Sequence, residues 1–133
     1  MKYLLDSNIC IHYLKGKFGL IDKLFEVGME NCAISEITLA ELVYGAEYSQ
    51  NAAKNHQLIS QFVSQLAILP IFDSIYLYGK EKSRLRRKGT PISDFDLLIG
   101  CTAVEKNLTM VTENVREFER ISNINIENWV VRG

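Results

Sequence analysis

Residues 1–10 read MKYLLDSNIC, and the step at Asp6 decides how the chain folds. Tyr3-Leu4-Leu5 is an apolar run of strand length, and it stops at a carboxylate. Ser7 and Asn8 follow, both suited to capping a helix, and apolar residues resume at Ile9. A charge at the end of a buried strand has two explanations. Asp6 either caps the following helix or forms one wall of a metal site.

Working outward from Asp6, short apolar runs alternate with helical patterns. Lys2 to Asp6 reads as a strand, and Ser7 or Asn8 opens a helix to about Lys15. Gly16 and Gly19 break it, and a second helix covers Leu20 to Val27. CAIS (32–35) is a second strand, and Ser35 starts a helix to about Tyr48. Asn51 to Leu66 is a longer helix with Leu58, Ile59, Phe62 and Leu66 at helical spacing. AILPIF (67–72) is a third strand. Asp73 caps a basic helix to about Lys88, KGTP (88–91) is a loop, and Ser93 or Asp94 caps a helix to about Glu105. NLTMVT (107–112) is a fourth strand, and NIEN (125–128) with Trp129 adds a fifth. Strands separated by helices form βαβ units, so the expected fold class is α/β with a central parallel sheet of four to five strands. The 133 residues suffice for a single domain, 1–133, with a real core.

Composition excludes several classes. Apolar content of 47% and charged content of 23% are those of a soluble globular chain. No apolar stretch reaches the roughly 18 residues that a membrane span needs. The first residues, with one lysine and a short apolar run, do not read as a signal peptide. Cys10, Cys32 and Cys101 are odd in number, widely spaced and in apolar context, which predicts reduced thiols and a cytoplasmic location. His12 and His56 are isolated, with no zinc-type spacing. The net charge of −1 conceals KEKSRLRRK (80–88), which holds six basic residues and one acid. Acids gather at Glu113, Glu117 and Glu119.

The remaining carboxylates sharpen the reading of Asp6. On the helix after Ser35, Ile37, Ala40, Tyr44 and Tyr48 form a stripe at 3.6-residue spacing, expected to be apolar and inward, with Glu41 inside it. Such a carboxylate needs a partner: a salt bridge, a tyrosine hydroxyl or an ion. After Ser93, Asp96 heads a stripe of Ile99, Gly100 and Ala103, where the two small residues are expected to bring the helix close to the sheet. Asp94, two residues earlier, points to nearly the opposite face and reads as a cap or supporting residue. Ligands of parallel sheets bind beyond the carboxyl ends of the strands, where Asp6 and Asn114 both lie. Three carboxylates and an amide make an oxygen-only set suited to Mg²⁺ or Mn²⁺.

LLDSNICIHYLKG, ISEITLAELVYGAEYS, RKGTPISDFDLLIGCTAVEKNLTMVTENVREFERI and IENW together resemble a PIN domain, and more narrowly a VapC ribonuclease toxin of a type II toxin–antitoxin pair. The likeness runs from Met1 to about Trp129. It implies a PIN-like fold, cleavage of RNA, and one or two Mg²⁺ or Mn²⁺ ions held at Asp6, Glu41, Asp96 and Asn114, with Ser7 beside the first aspartate. Many PIN domains carry aspartate at the place of Asn114, so this chain has one charge fewer for a second ion. The resemblance further implies a small VapB-like antitoxin and a homodimer whose two sites share one groove. Lys80, Arg84, Arg87 and Lys88 share a helical face and are the predicted phosphate contacts of an RNA substrate such as tRNA. The competing explanation of that face is a solvated surface. A nuclease of RNA processing and a catalytically degenerate binding module fit the same motifs. A phosphoacceptor domain does not, because it needs paired acids before the acceptor and a lysine at a later strand end.

Overall fold

The computed structural model describes residues 1–133. It contains five strands, β1 (Tyr3–Leu5), β2 (Cys32–Ser35), β3 (Ala67–Leu69), β4 (Thr109–Val111) and β5 (Asn125–Glu127), with seven helices: α1 (Ser7–Leu14), α2 (Leu20–Val27), α3 (Glu36–Tyr48), α4 (Ala52–Val63), α5 (Ile75–Lys88), α6 (Asp94–Glu105) and α7 (Val115–Phe118). Every strand pairing is parallel, and the order is β3-β2-β1-β4-β5. The central strand is therefore β1, which explains why its three residues can be so apolar: both faces are covered.

Side-chain alternation along the strands builds two cores. Leu5, Ile34 and Val111 face one way, packing with Ile9, Leu20, Leu24, Leu42, Ile59 and Phe62. Leu4, Ala33 and Met110 face the other, with Leu85, Leu97, Ile99, Phe118 and Ile121. Trp129 lies past β5, edge-on to Tyr3 at 5.0 Å between centroids, and closes the first core. All three cysteines are free and buried, and burial pushes the Cys101 thiol up to about 12. No helix is long and apolar enough to cross a membrane.

Four local expectations need correction. The α1 cap is Asp6 itself, whose side chain accepts from the Ser7 amide, so neither Ser7 nor Asn8 is the cap. Asp73 does not cap α5 but pairs with Lys106 at 2.6 Å. The buried stripe of α3 is Thr38, Leu42 and Ala46, one residue round from the expected stripe, while Tyr44 and Tyr48 stand 69% and 82% exposed and stack on each other. Apolar residues surround α3, so periodicity alone offers two inward faces. Gly100 admits close packing not of the sheet but of the segment after β4: a Cβ there would overlap Ile121 Cδ1 and press on Phe118.

Candidate active site

The site forms where the carboxyl ends of β1 and β4 lie side by side. Leu5 is in register with Val111, and the Asp6 amide continues the ladder to the Val111 carbonyl at 2.9 Å. The next residue on each strand is thus paired by geometry, Asp6 with Thr112. Asp6 is 3% exposed, and its carboxylate accepts three bonds: from the Ser7 amide (2.8 Å), the Thr112 hydroxyl (2.7 Å) and the Asn8 amide group (3.3 Å). These donors favour the charged form, yet burial outweighs them and, aided by the charge of Asp96, raises the pKa of Asp6.

Glu41 reaches the same place from α3. Burial comes first, then the charges of Asp6 and Asp96, in holding its carboxyl above the ordinary range; the Ser7 hydroxyl acts the other way. Its Oε1 is buried without a hydrogen-bond partner. Asp96 enters on the first turn of α6, which Ser93 caps by accepting from the Asp96 amide at 3.2 Å. Burial raises its pKa, and the charge of Glu117 on α7 adds to the rise. Asp6, Glu41 and Asp96 therefore act on one another electrostatically, with Ser7 between the first two.

The other predicted residues have different placements. Asn114 is joined to Asp6 through one intermediary: its backbone amide donates to the Thr112 hydroxyl at 2.9 Å, and it stands at the N-terminal cap of α7 without a side-chain cap bond. Asp94 turns away, accepting from the Tyr78 hydroxyl and pairing with Lys82, both at 2.8 Å. Lys80, Arg87 and Lys88 are exposed on α5. Arg84 is not part of that free face. It grips Glu81, whose side chain is only 7% exposed, through two bonds of 2.8 and 2.9 Å. A carboxylate so deeply placed demands a cation, and the residue one turn later supplies it.

Thr112, Asn8 and Glu117 are the neighbours that sequence reasoning missed. Thr112 was legible in principle, as the residue beside Asp6 once β1 and β4 are paired in register. Glu117 was visible only as part of a local excess of acids, three residues after Asn114. No three His, Cys, Asp or Glu side chains converge closely enough to enclose an ion unaided.

Comparison with known proteins bears on this arrangement. The PIN-domain family model matches residues 3–124. The chain is 39% identical over 130 residues to the tRNA(fMet)-specific endonuclease VapC of Salmonella typhimurium, an alignment covering 97% of this chain and 98% of that protein. This chain belongs to the VapC family of PIN domains. Ribonuclease VapC2 of Rickettsia felis is 38% identical over 132 residues, again 97% of this chain and 98% of the relative. Among solved structures, DNA-bound VapBC from Salmonella typhimurium superposes with a TM-score of 0.90 at 39% identity, covering 97% of this chain and 98% of that chain. VapBC2 from Rickettsia felis, bound to a fragment of its promoter DNA, gives the same TM-score at 37% identity, covering 97% and 99%. The PIN-domain match over residues 3–124 takes in β1 to β4 and the helices between them.

Proposed function

We propose that the protein is a VapC ribonuclease toxin that hydrolyses RNA phosphodiester bonds with a divalent cation, and that a small VapB-like antitoxin holds it inactive in the cytoplasm. The observation that carries the reading is the buried, unpartnered Oε1 of Glu41 beside the carboxylates of Asp6 and Asp96. Carboxylates held above their ordinary range by burial, and then by neighbouring acids, with no neutralising side chain beside them, make a cation site by their chemistry. Oxygen donors alone favour Mg²⁺ or Mn²⁺. Such ions keep several waters, so part of the contact from Asp6, Glu41 and Asp96 would run through water. Such an ion, when bound, lowers the pKa of water and neutralises charge developing on the phosphate.

Asp6, Asp96 and Glu41 would hold the ion. Thr112, Ser7 and Asn8 keep the Asp6 carboxylate in one orientation. Glu41, held above the ordinary carboxyl range by burial and by the charges of Asp6 and Asp96, would accept a proton from the attacking water. Asn114 would donate to a phosphate oxygen. Lys80, Arg87 and Lys88 would neutralise phosphates further along the RNA. Two of the relatives are named tRNA(fMet)-specific endonucleases, so initiator tRNA is the first substrate to test.

The antitoxin reading rests on a groove of about 340 Å³ between α1, α3 and α4. Ile11, Leu14, Leu42 and Leu58 line its length, and Glu41 lies in its wall. An amphipathic helix fits such a trough, and a cation at its end would meet the carboxylates. DNA-bound VapBC is the state of the Salmonella typhimurium and Rickettsia felis relatives.

The test is cleavage of initiator tRNA with Mg²⁺ or Mn²⁺, in wild type and in Asp6→Asn, Glu41→Gln and Asp96→Asn. Each variant should fold and lose cleavage by at least about a hundredfold. Wild-type rates in any one would remove that residue from the site, and cleavage undiminished by chelation would end the metal reading.

A further inference from the structure

Asp96 and Glu117 sit on different helices, and a chain of charged residues outside the site ties those helices together. Its root is Glu81, in the middle of α5 and 5% exposed. Arg84 grips this carboxylate through Nε and Nη2, and the Ser122 amide donates to Oε1 at 2.6 Å. Nη2 of Arg84 continues to the Arg120 carbonyl at 2.6 Å. The Arg120 side chain then crosses to the loop in front of α6, where Nη1 donates to the Pro91 carbonyl at 3.0 Å. The chain of contacts therefore runs from α5 through the turn after α7 to the approach of α6. Glu117 lies three residues before Arg120, and Asp96 five residues after Pro91.

The same two helices meet at Gly100, where the missing side chain lets Phe118 and Ile121 close in. That contact is apolar and allows sliding, whereas the bonds to Ser122, Arg120 and Pro91 are directional. Apolar residues of equal volume often stabilise a protein as well as a buried ion pair does. What the charged set adds is one fixed register.

We propose that Glu81, Arg84 and Arg120 are positioning residues that fix the turn after α7 against the approach to α6 and so set the place of Asp96 on the first turn of α6. The inference rests on the acidic cluster being the reaction centre. The informative substitution is Arg120→Ala. It deletes only the bond to Pro91, because the carbonyl of residue 120 remains for Arg84. Residues that orient ligands from outside commonly contribute ten- to a hundredfold to metal affinity or activity.

The experiment measures Mn²⁺ affinity by calorimetry, the kcat and KM for initiator tRNA, and thermal melting. It uses wild type, Arg120→Ala, Arg120→Lys and, as a control on the far end of α6, Lys106→Ala, which breaks only the pair with Asp73. Arg120→Ala should melt cooperatively, bind Mn²⁺ about tenfold more weakly and lose about tenfold in kcat with KM nearly unchanged. Arg120→Lys, able to reach Pro91, should recover most of both losses, and Lys106→Ala should match wild type. Arg120→Ala that melts cooperatively and equals wild type in Mn²⁺ affinity and kcat overturns the proposal. So does Arg120→Ala that fails to fold, since that is the behaviour of a purely structural network. Wild type that neither binds Mn²⁺ nor cleaves RNA overturns instead the reading of the site on which the clamp rests.

Discussion

Thr112 donates its hydroxyl to Asp6 at 2.7 Å across 106 positions of sequence, and with the same oxygen accepts the Asn114 amide. The carboxyl ends of β1 and β4 are thereby joined at the edge where the carboxylates gather. Thr112→Val removes the donor and the acceptor together while keeping the shape. It should lower stability by roughly 1–3 kcal/mol, since a buried amide and a buried carboxylate oxygen each lose a partner. Urea unfolding measures this, and Thr112→Ser should restore most of it. An unchanged midpoint for Thr112→Val would show that water replaces the hydroxyl at no cost.

The metal-free protein should be more stable in mild acid than at neutrality. Asp6, Glu41 and Asp96 all have raised pKa values, above the ordinary 3.8 for aspartate and 4.5 for glutamate. A raised carboxylate binds its proton more tightly in the folded chain. Its charged form opposes folding above the folded pKa, and this opposition is relieved as the pH falls through it. Glu81 works in the opposite sense: held down to about 2, its stabilisation is complete above 4.5 and disappears between there and about 2. The melting temperature without metal should climb as pH falls from neutrality toward the ordinary carboxylate range, then drop in stronger acid as Glu81 takes its proton. Glu41→Gln should flatten the climb and leave the drop. A melting temperature that only declines from neutrality downward would contradict the coupling of the three carboxylates.

Arg84 and Arg87 should behave oppositely, though they are one turn apart. Arg84→Ala leaves the Glu81 carboxylate buried and unpaired, at a cost of roughly 2–3 kcal/mol, less than for a fully enclosed pair because Arg84 itself is partly exposed. Reversing Arg87 and Lys88 to Glu should leave the melting point nearly unaltered. On an Asp6→Asn background it should flatten the dependence of RNA affinity on log salt by at least roughly 1.4, at about 0.7 for each lost phosphate contact. Binding at several salt concentrations separates the two, and an unchanged slope would assign this face to solvation alone.

Gly100→Ala should destabilise by roughly 1–3 kcal/mol, because the added methyl overlaps Ile121 and presses on Phe118. Chemical denaturation measures the loss. Combining it with Ile121→Val relieves the overlap, so the double variant should be more stable than the sum of the two single changes predicts.

The sequence by itself determined the alternation of strands and helices, the parallel sheet and the carboxylates at its edge. Asp6, Glu41 and Asp96 could be singled out because a charge that ends an apolar run or enters an apolar helix contradicts the cheapest partition into core and surface. Tertiary packing alone decided the face of α3, where Thr38, Leu42 and Ala46 went inward and the tyrosines outward. Apolar residues on every side of that helix leave its rotation to whatever it packs against. Packing also decided that Arg84 serves Glu81, and that Thr112 and Glu117 neighbour the site. Periodicity fixes relations within one element, while the depth of a side chain and its partners across elements depend on how elements meet. Burial magnifies the cost of a missing partner, so a basic run that looks uniform in sequence divides into one buried clamp and a free cationic surface.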